Sequence, residues 1–435
     1  MRPRRLLYLF LALALAFLTA CDSSNPPPDQ DGDGVADTQD AFPDDPTETA
    51  DSDNDGTGDN SDAFPDDPTE TQDFDLDGVG DRLDAFPEDA SRNSYADPGE
   101  HTVGVTTLSM GDRDLEVFYP AEEGSADGVP LAAYDLIDPF PLSVQAFILS
   151  QAPDVNAPVE IPAYRDLPRS RSGPFPVVVF SHGSGGFRRA YSKHLAGIAS
   201  HGFVAISLDH LEWGLLARLE LGPSEEDSRE PSELVLSALA LLDAEYQDPD
   251  AILEGTADTS QVATVGHSAG GRPAFAFSGL DSPQVKTNIG YATVPFESIP
   301  EKPVLLLLGA EDYAITPAET LTAYESLVRE KRYVAVTAAG HNSFTDQCEI
   351  IFDGNDIIAA AQGIFPDFPD DLADLARDGC QPENLAPSEF WRVAQHFTVA
   401  HLRKVFALDA EPSGLTAGAP GLFGDIEIDY RFEEE

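Results

Sequence analysis

Apolar positions follow two regimes along the chain. Between Asp29 and His101 they are sparse and return on a fixed 22-residue spacing; after it, short apolar runs alternate with stretches in which they recur every three or four residues. In the second regime Val103–Leu108 and Leu115–Tyr119 predict two strands joined through Gly111-Asp112-Arg113 as a hairpin. Phe175–Ser181 is a continuous apolar run, the pattern of a strand buried on both faces, and Phe203–Leu208, Val262–Val265, Val285–Ile289, Val304–Leu308 and Tyr333–Val336 continue the series. Between them Tyr191–Ser200, Pro231–Tyr246 and Pro317–Arg329 read as helices, the second with Leu234, Ala238, Leu241 and Leu242 on one face. This alternation predicts an α/β fold with a mostly parallel central sheet and helices on both faces. One connection is long, Ala121–Gly173, with a single amphipathic segment at Leu142–Leu149. Connections of that length commonly form lids or rims, which places it near a site.

The strand Val262–Val265 runs into Gly266-His267-Ser268-Ala269-Gly270, a Gly-x-Ser-x-Gly turn between strand and helix with Ser268 at its apex. A serine hydroxyl needs a base to take its proton and an acid to orient that base. In such sheets chemistry collects beyond the carboxyl ends of the strands, so the partners are sought there. Asp312 stands four residues after Val304–Leu308, and His341 follows Tyr333–Val336 in Ala339-Gly340-His341-Asn342. Glu311 and Asp346 are rival acids, and His182 and His267 are the other histidines bordering the site. The order Ser268, Asp312, His341 is that of the α/β-hydrolase fold. Ser181-His182-Gly183-Ser184-Gly185-Gly186 ends another strand and offers backbone N–H groups for an oxyanion, with the Ala269 N–H as second donor. No Gly-Lys-Ser/Thr follows the loop, which argues against a phosphate cradle.

The stretch Pro174 to Gly186, followed by Tyr191-Ser192 and Ala199-Ser200-His201-Gly202-Phe203, resembles the platelet-activating-factor acetylhydrolase group of α/β-hydrolases, with dienelactone-hydrolase-like and polyester-cleaving relatives. The resemblance covers roughly Val103 to Phe406, and Gly340 to Cys348 also looks like bacterial members. It implies Ser184 and Ala269 as oxyanion donors, Asp209-His210 at the end of a strand, a carboxylic-ester substrate, and no cofactor for catalysis. The chain departs from the group in the Ala121–Gly173 insertion and in the segment from Cys348 to Cys380, which is expected to cap the site around residues 342–385. In an oxidising compartment these two cysteines most simply form a disulfide; two free buried thiols are the alternative.

The first regime is an internal repeat. Asp29, Asp51 and Asp73 open three copies, each containing Asp-Ala-Phe-Pro, with acids at relative positions 1, 3, 5, 9 and 12 and glycine at 6. The acids are Asp29, Asp31, Asp33, Asp37 and Asp40; then Asp51, Asp53, Asp55, Asp59 and Asp62; then Asp73, Asp75, Asp77, Asp81 and Asp84. Those offsets suit a calcium loop, in which glycine makes the turn that gathers alternating carboxylates round one hard cation. Position 12 is Asp rather than Glu and prolines break any flanking helix, so this is no EF-hand. The pattern resembles thrombospondin type-3 repeats and implies structural Ca2+; a disordered acidic spacer is the competing reading.

Charge sharpens the picture. The net charge is −53, and residues 22–100 carry 26 Asp and Glu against Arg82 and Arg92, which opposes nucleic-acid binding and suits cations. Arg2, Arg4 and Arg5 precede the uncharged run Leu6–Leu18, the layout of an export signal, and Leu18-Thr19-Ala20-Cys21 resembles a bacterial lipobox. The expected order is therefore a signal peptide over 1–20, lipidation at Cys21 and a tether over 21–28. Calcium repeats over 29–100 and a catalytic domain over 101–435 follow. The chain reads as an exported, membrane-anchored serine esterase, periplasmic or at the cell surface. The alternatives are a non-catalytic calcium-dependent binding module on a hydrolase scaffold, or an acyltransferase or peptidase using the same three residues.

Overall fold

The computed structural model describes residues 27–153, 158–222, 229–295, 299–409 and 412–434. The export signal, Cys21 and most of the tether lie outside the described residues. The chain divides into two compact units between Asp81 and Arg82. Residues 82–100, grouped by the repeat with the stalk, thus pack with the larger unit. Aromatic contacts hold them there: Phe86 and Tyr95 meet edge to face at 5.8 Å, and the Tyr95 N–H donates to His396 Nδ1 at 3.2 Å.

In the smaller unit each repeat is a string of turns. Gly34, Gly56 and Gly78, at position 6, take φ of 103°, 98° and 92°, a conformation that side chains disfavour. Successive copies are joined by backbone bonds from Asp59 N to Ala50 O and from Asp81 N to Gln72 O, both 2.9 Å. Gly58 and Gly80 leave room for the buried carboxylates of Glu48 and Glu70, which would overlap any Cβ there.

The larger unit is built on a ten-stranded sheet. Its strands are β1 (Val103–Ser109), β2 (Asp114–Pro120), β5 (Tyr164–Arg165), β6 (Phe175–Ser181), β7 (Val204–Leu208), β8 (Ala257–His267), β9 (Val285–Tyr291), β10 (Val304–Gly309), β11 (Lys331–Val336) and β12 (Ile428–Glu433), while β3 (Ala133–Asp135) and β4 (Pro158–Glu160) pair separately. The order across the sheet is β12-β11-β10-β9-β8-β6-β7-β2-β1-β5. From β7 to β11 all pairs are parallel; β2 joins β7, and β12 joins β11, antiparallel. This mostly parallel sheet with helices on both faces is the α/β-hydrolase fold.

The continuous apolar runs supply both faces at once, because successive strand residues point to opposite sides. In β6, Val178 and Phe180 enter one core and Val177 and Val179 the other; in β10, Leu305 and Leu307 separate in the same way from Leu306 and Leu308. The first face is covered by α2 (Ser192–Ser200) and α10 (Pro387–Val405), the second by α4 (Pro231–Gln247) and α6 (Pro317–Ser326). Several elements depart from the sequence pattern. β8 begins five residues before Val262 and shifts register at Val262/Ala263. α6 stops at Ser326 rather than Arg329, because Leu327 turns to extended backbone. α10 was not anticipated, although Pro387 at its start, Glu389 in its first turn and Arg403 and Lys404 in its last are helix-end signals.

Candidate active site

Ser268 follows the last residue of β8 and adopts φ +53°, left-handed backbone in a residue that is not glycine. A short 3-10 turn, Ser268–Gly270, then leads into α5 (Gly271–Phe275). The turn is tight enough to require both flanking glycines. A Cβ at Gly266 would lie 2.1 Å from Gly270 O, and one at Gly270 would lie 2.1 Å from Ser181 O at the end of β6. Such backbone strain persists only where the surroundings over-determine it.

Asp312 and His341 follow β10 and β11, the second and third strands beyond β8 across the sheet. His341 Nδ1 lies 2.8 Å from Asp312 Oδ2, with both side chains buried. The other Asp312 oxygen accepts the N–H groups of Ala314 and Ile315, each at 2.8 Å. These bonds hold the carboxylate to one orientation. The opposite nitrogen, His341 Nε2, is buried without a hydrogen-bond partner, and His341 and Ser268 line the same cavity.

The rival residues have other positions. Glu311 reaches outward to Asn384 Nδ2 at 3.1 Å. Asp346 accepts the Tyr134 hydroxyl at 3.1 Å and the Ser192 N–H at 3.0 Å, at the start of α2; burial pushes its carboxyl up to about 7. His267 donates from Nε2 to His341 O at 2.8 Å, so its Nδ1 accepts the Tyr191 hydroxyl, also at 2.8 Å. It therefore sits neutral and braces the backbone of His341. Burial, followed by the neighbouring His341, lowers its pKa well below the usual range. His182 donates from Nδ1 to Gly183 O at 2.9 Å and accepts the His210 N–H at 2.9 Å, which ties the glycine-rich loop to residues after β7. Two loop amides are engaged, Gly185 N with Trp213 O at 2.8 Å and Gly186 N with Gly183 O at 3.1 Å. Ser184 lines the cavity beside Ser268. Ala269 follows the serine in the turn.

The cavity measures about 180 Å³ and is walled almost wholly by apolar side chains. Four separate segments roof it: Leu136–Ile148 from the long connection, Leu215 and Leu219 from the region of α3 (Leu215–Arg218), α8 (Ile357–Ile364), and α9 (Asp370–Arg377) with Phe365 and Phe368 before it. Phe140 stacks on Phe365 at 5.8 Å, joining the connection to the roof. Leu372 lies against Gly185, where a Cβ would come within 2.5 Å of its Cδ1. Cys348, in α7 (Asp346–Phe352), is disulfide-bonded to Cys380 beyond α9, so the roof segments α8 and α9 lie within one covalent loop. The roof was visible in sequence only as a long connection and a cysteine pair. Its convergence depends on contacts between residues more than 200 positions apart, and local pattern carries no trace of these.

In the smaller unit, side chains at positions 1, 3 and 5 of each repeat bring carboxylate oxygens within 4.8 Å of one another: Asp29, Asp31 and Asp33; Asp51, Asp53 and Asp55; Asp73, Asp75 and Asp77. Asp31 Oδ2, Asp33 Oδ2, Asp53 Oδ2, Asp73 Oδ1 and Asp75 Oδ2 have no hydrogen-bond partner. Desolvation first, then the charges of Asp33, Asp40 and Asp29, raises the Asp31 carboxyl; Asp53 is raised in the same way by its own neighbours. A hard cation suits such oxygens. The position-9 carboxylates instead accept the amide of position 2: Asp37 from Gln30, Asp59 from Ser52, and Asp81 from Phe74. Asp40, Asp62 and Asp84 accept the amides of Phe42, Phe64 and Phe86.

The fold is that of an α/β-hydrolase, with the candidate residues at the carboxyl ends of the parallel strands. The comparisons agree with that class. A family model described as "Platelet-activating factor acetylhydrolase, isoform II" matches residues 91–217, and one described as "Chlorophyllase" matches residues 156–294. Among curated proteins, the platelet-activating factor acetylhydrolase of Cavia porcellus is 24% identical over 298 residues, covering 57% of this chain and 67% of the relative. Chlorophyllase-1, chloroplastic, of Citrus unshiu is 26% identical over 323 residues, covering 70% of this chain and 91% of the relative. Both families are carboxylic ester hydrolases, and this chain is an enzyme of that class.

Proposed function

We propose that the enzyme is an exported serine esterase in which Ser268, His341 and Asp312 act as nucleophile, base and orienting acid. The observation that carries this is the pairing of His341 Nδ1 with buried Asp312, while its unpartnered Nε2 belongs to the cavity that Ser268 lines. In the proposed reaction Nε2 takes the Ser268 hydroxyl proton as Oγ bonds to the ester carbonyl carbon. The Ser184 and Ala269 N–H groups stabilise the negative oxygen. As the carbon–alkoxy bond breaks, the imidazolium returns the proton to the leaving alcohol. Water then repeats the sequence: His341 removes its proton, its oxygen attacks the acyl carbon, and Ser268 leaves with the proton restored.

The apolar cavity favours esters with hydrocarbon chains, of lipid or polyester type, and that chemistry needs no cofactor. The repeats are proposed as thrombospondin type-3-like modules that bind structural Ca2+. Residues 1–20 are proposed as a lipoprotein signal, and Cys21 as the lipidated anchor holding the enzyme at a periplasmic or cell-surface membrane. Ser268→Ala should lower kcat on a short p-nitrophenyl ester by at least about a thousandfold and abolish labelling by a fluorophosphonate. A variant that keeps full activity would refute the mechanism. Wild-type protein inert to both reagents would favour a binding module instead.

A further inference from the structure

The segment that closes the disulfide loop touches both catalytic loops. Asp378, two residues before Cys380, lies between the loop carrying Asp312 and the loop carrying His341. Its Oδ1 lies against the backbone of Gly340, next to His341, 2.2 Å from where a Cβ on that glycine would stand. Its Oδ2 also receives the N–H of Tyr313, the residue after Asp312, at 3.5 Å. Its own carbonyl accepts the Asn342 N–H at 2.9 Å. One residue of the roof therefore holds the chain beside the acid and on both sides of the base.

The surrounding bonds repeat the same attachment. Asn342 Nδ2 donates to Leu375 O, Ser343 Oγ donates to Gly379 O at 3.2 Å, and Gly340 N donates to Ser343 Oγ at 3.0 Å. The backbones approach so closely that both facing residues are glycine. A Cβ on Gly340 would lie 2.2 Å from Asp378 Oδ1, and one on Gly379 would lie 2.3 Å from Gly340 N. The disulfide anchors this contact from the other side, through Cys348 in α7. Burial, with the charge of Asp312, raises the Asp378 carboxyl, and neighbouring backbone amides pull it back.

We propose that Asp378 is a positioning residue for catalysis, a clamp that fixes the distance between the Asp312 and His341 loops. This rests on the reading of Ser268, His341 and Asp312 as the catalytic set. The clamp acts on geometry rather than on the substrate, since Asp378 does not line the cavity. Loosening it lets the imidazole drift from Ser268 and leaves the apolar walls that bind the chain in place. A misplacement of about 1 Å is enough to cost on the order of a hundredfold in rate.

The test compares steady-state kinetics of the full chain on a p-nitrophenyl ester for Asp378→Ala, Asp378→Asn and Gly379→Ala, with Asp353→Ala as a control for loss of an exposed acid within the disulfide loop but away from the cavity. Asp378→Ala should lose about ten- to a hundredfold in kcat with KM within about twofold. Asp378→Asn keeps an acceptor oxygen and should recover most of that loss. Gly379→Ala, whose Cβ pushes the roof off Gly340, should show the same fall in kcat without any change of charge, and it keeps the test open if the Asp378→Ala protein does not fold. Asp353→Ala should match wild type. Unchanged kcat in Asp378→Ala or in a folded Gly379→Ala, or a loss confined to KM, overturns the clamp. If Ser268→Ala were as active as wild type, the underlying reading would fail, and the two failures are thereby told apart.

Discussion

At the scale of single residues, this enzyme keeps most of its histidines neutral by enclosing them. Burial lowers His194, His201 and His396 to about 4. Their bonds suit the neutral ring: His396 accepts the Tyr95 N–H and donates to Gly414 O at 2.7 Å. A histidine whose folded pKa lies below its unfolded value of about 6.5 binds its proton first in the unfolded chain, so stability falls as pH drops from 6.5 toward 4. Each shift corresponds to roughly 3 kcal/mol at the acid end of that window. Asp346 opposes them. Its folded value of about 7 exceeds the unfolded value near 3.8, so its contribution is fully present below 3.8 and is lost as pH rises through 7. It is worth about 4 kcal/mol by the same conversion. Three histidines outweigh one aspartate, and the balance between pH 6.5 and 4 is a net loss comparable to the whole stability of a domain. Tryptophan fluorescence should therefore report cooperative unfolding on acidification within that window. His396→Gln, which can donate and accept in the same places, should move the midpoint to lower pH; an unmoved midpoint would remove His396 from the account.

At the scale of elements, what was legible in the sequence is what local pattern encodes. The continuous apolar runs marked β6, β10 and β11 because a strand buried on both faces leaves no polar alternation, and Gly266 and Gly270 marked the turn because nothing larger fits beneath it. Asp312 and His341 stand out as candidates because chain order and strand ends place them there. Illegible were α8 and α9, which pack against the long connection, the region of α3 and each other, and Asp378, an acid among many whose role depends on the approach of two glycines. The repeat register runs on through Asp84 and Phe86, while the compact units divide at Arg82. The disulfide ties these elements together. Closing a loop with a separation of 32 residues is worth about 3 to 4 kcal/mol in the chain-entropy estimate. The double variant Cys348→Ser, Cys380→Ser should therefore lower the thermal midpoint by several degrees. It should also depress kcat more than KM, since the clamp at Asp378 loses its anchor. A variant with wild-type midpoint and kcat would show the staple to be dispensable.

At the scale of the whole molecule, the governing quantity is the charge of −53. Self-repulsion of that size disfavours a compact state, and it is concentrated where there is least apolar core to resist it. The repeats answer with turns rather than packing: carboxylates gathered within 4.8 Å, several oxygens left without a donor, and glycine at the position that allows the gathering. Three like charges at that distance are unfavourable without a cation, and a divalent ion changes the sign of the interaction. Calcium added to the full chain should therefore be taken up at millimolar concentration or below, and should protect the segment from residue 29 to 81 against proteolysis, whereas a chelator should expose it. Uptake should fall when Asp31, Asp53 and Asp75 are replaced together by Asn, because each loop then loses the acid at position 3. Magnesium should substitute poorly, since it demands stricter geometry at shorter distances than a loop of flexible carboxylates provides. Calorimetry on wild-type chain that detects no heat of calcium binding, with proteolysis unaffected by chelator, would leave the repeats as an acidic spacer.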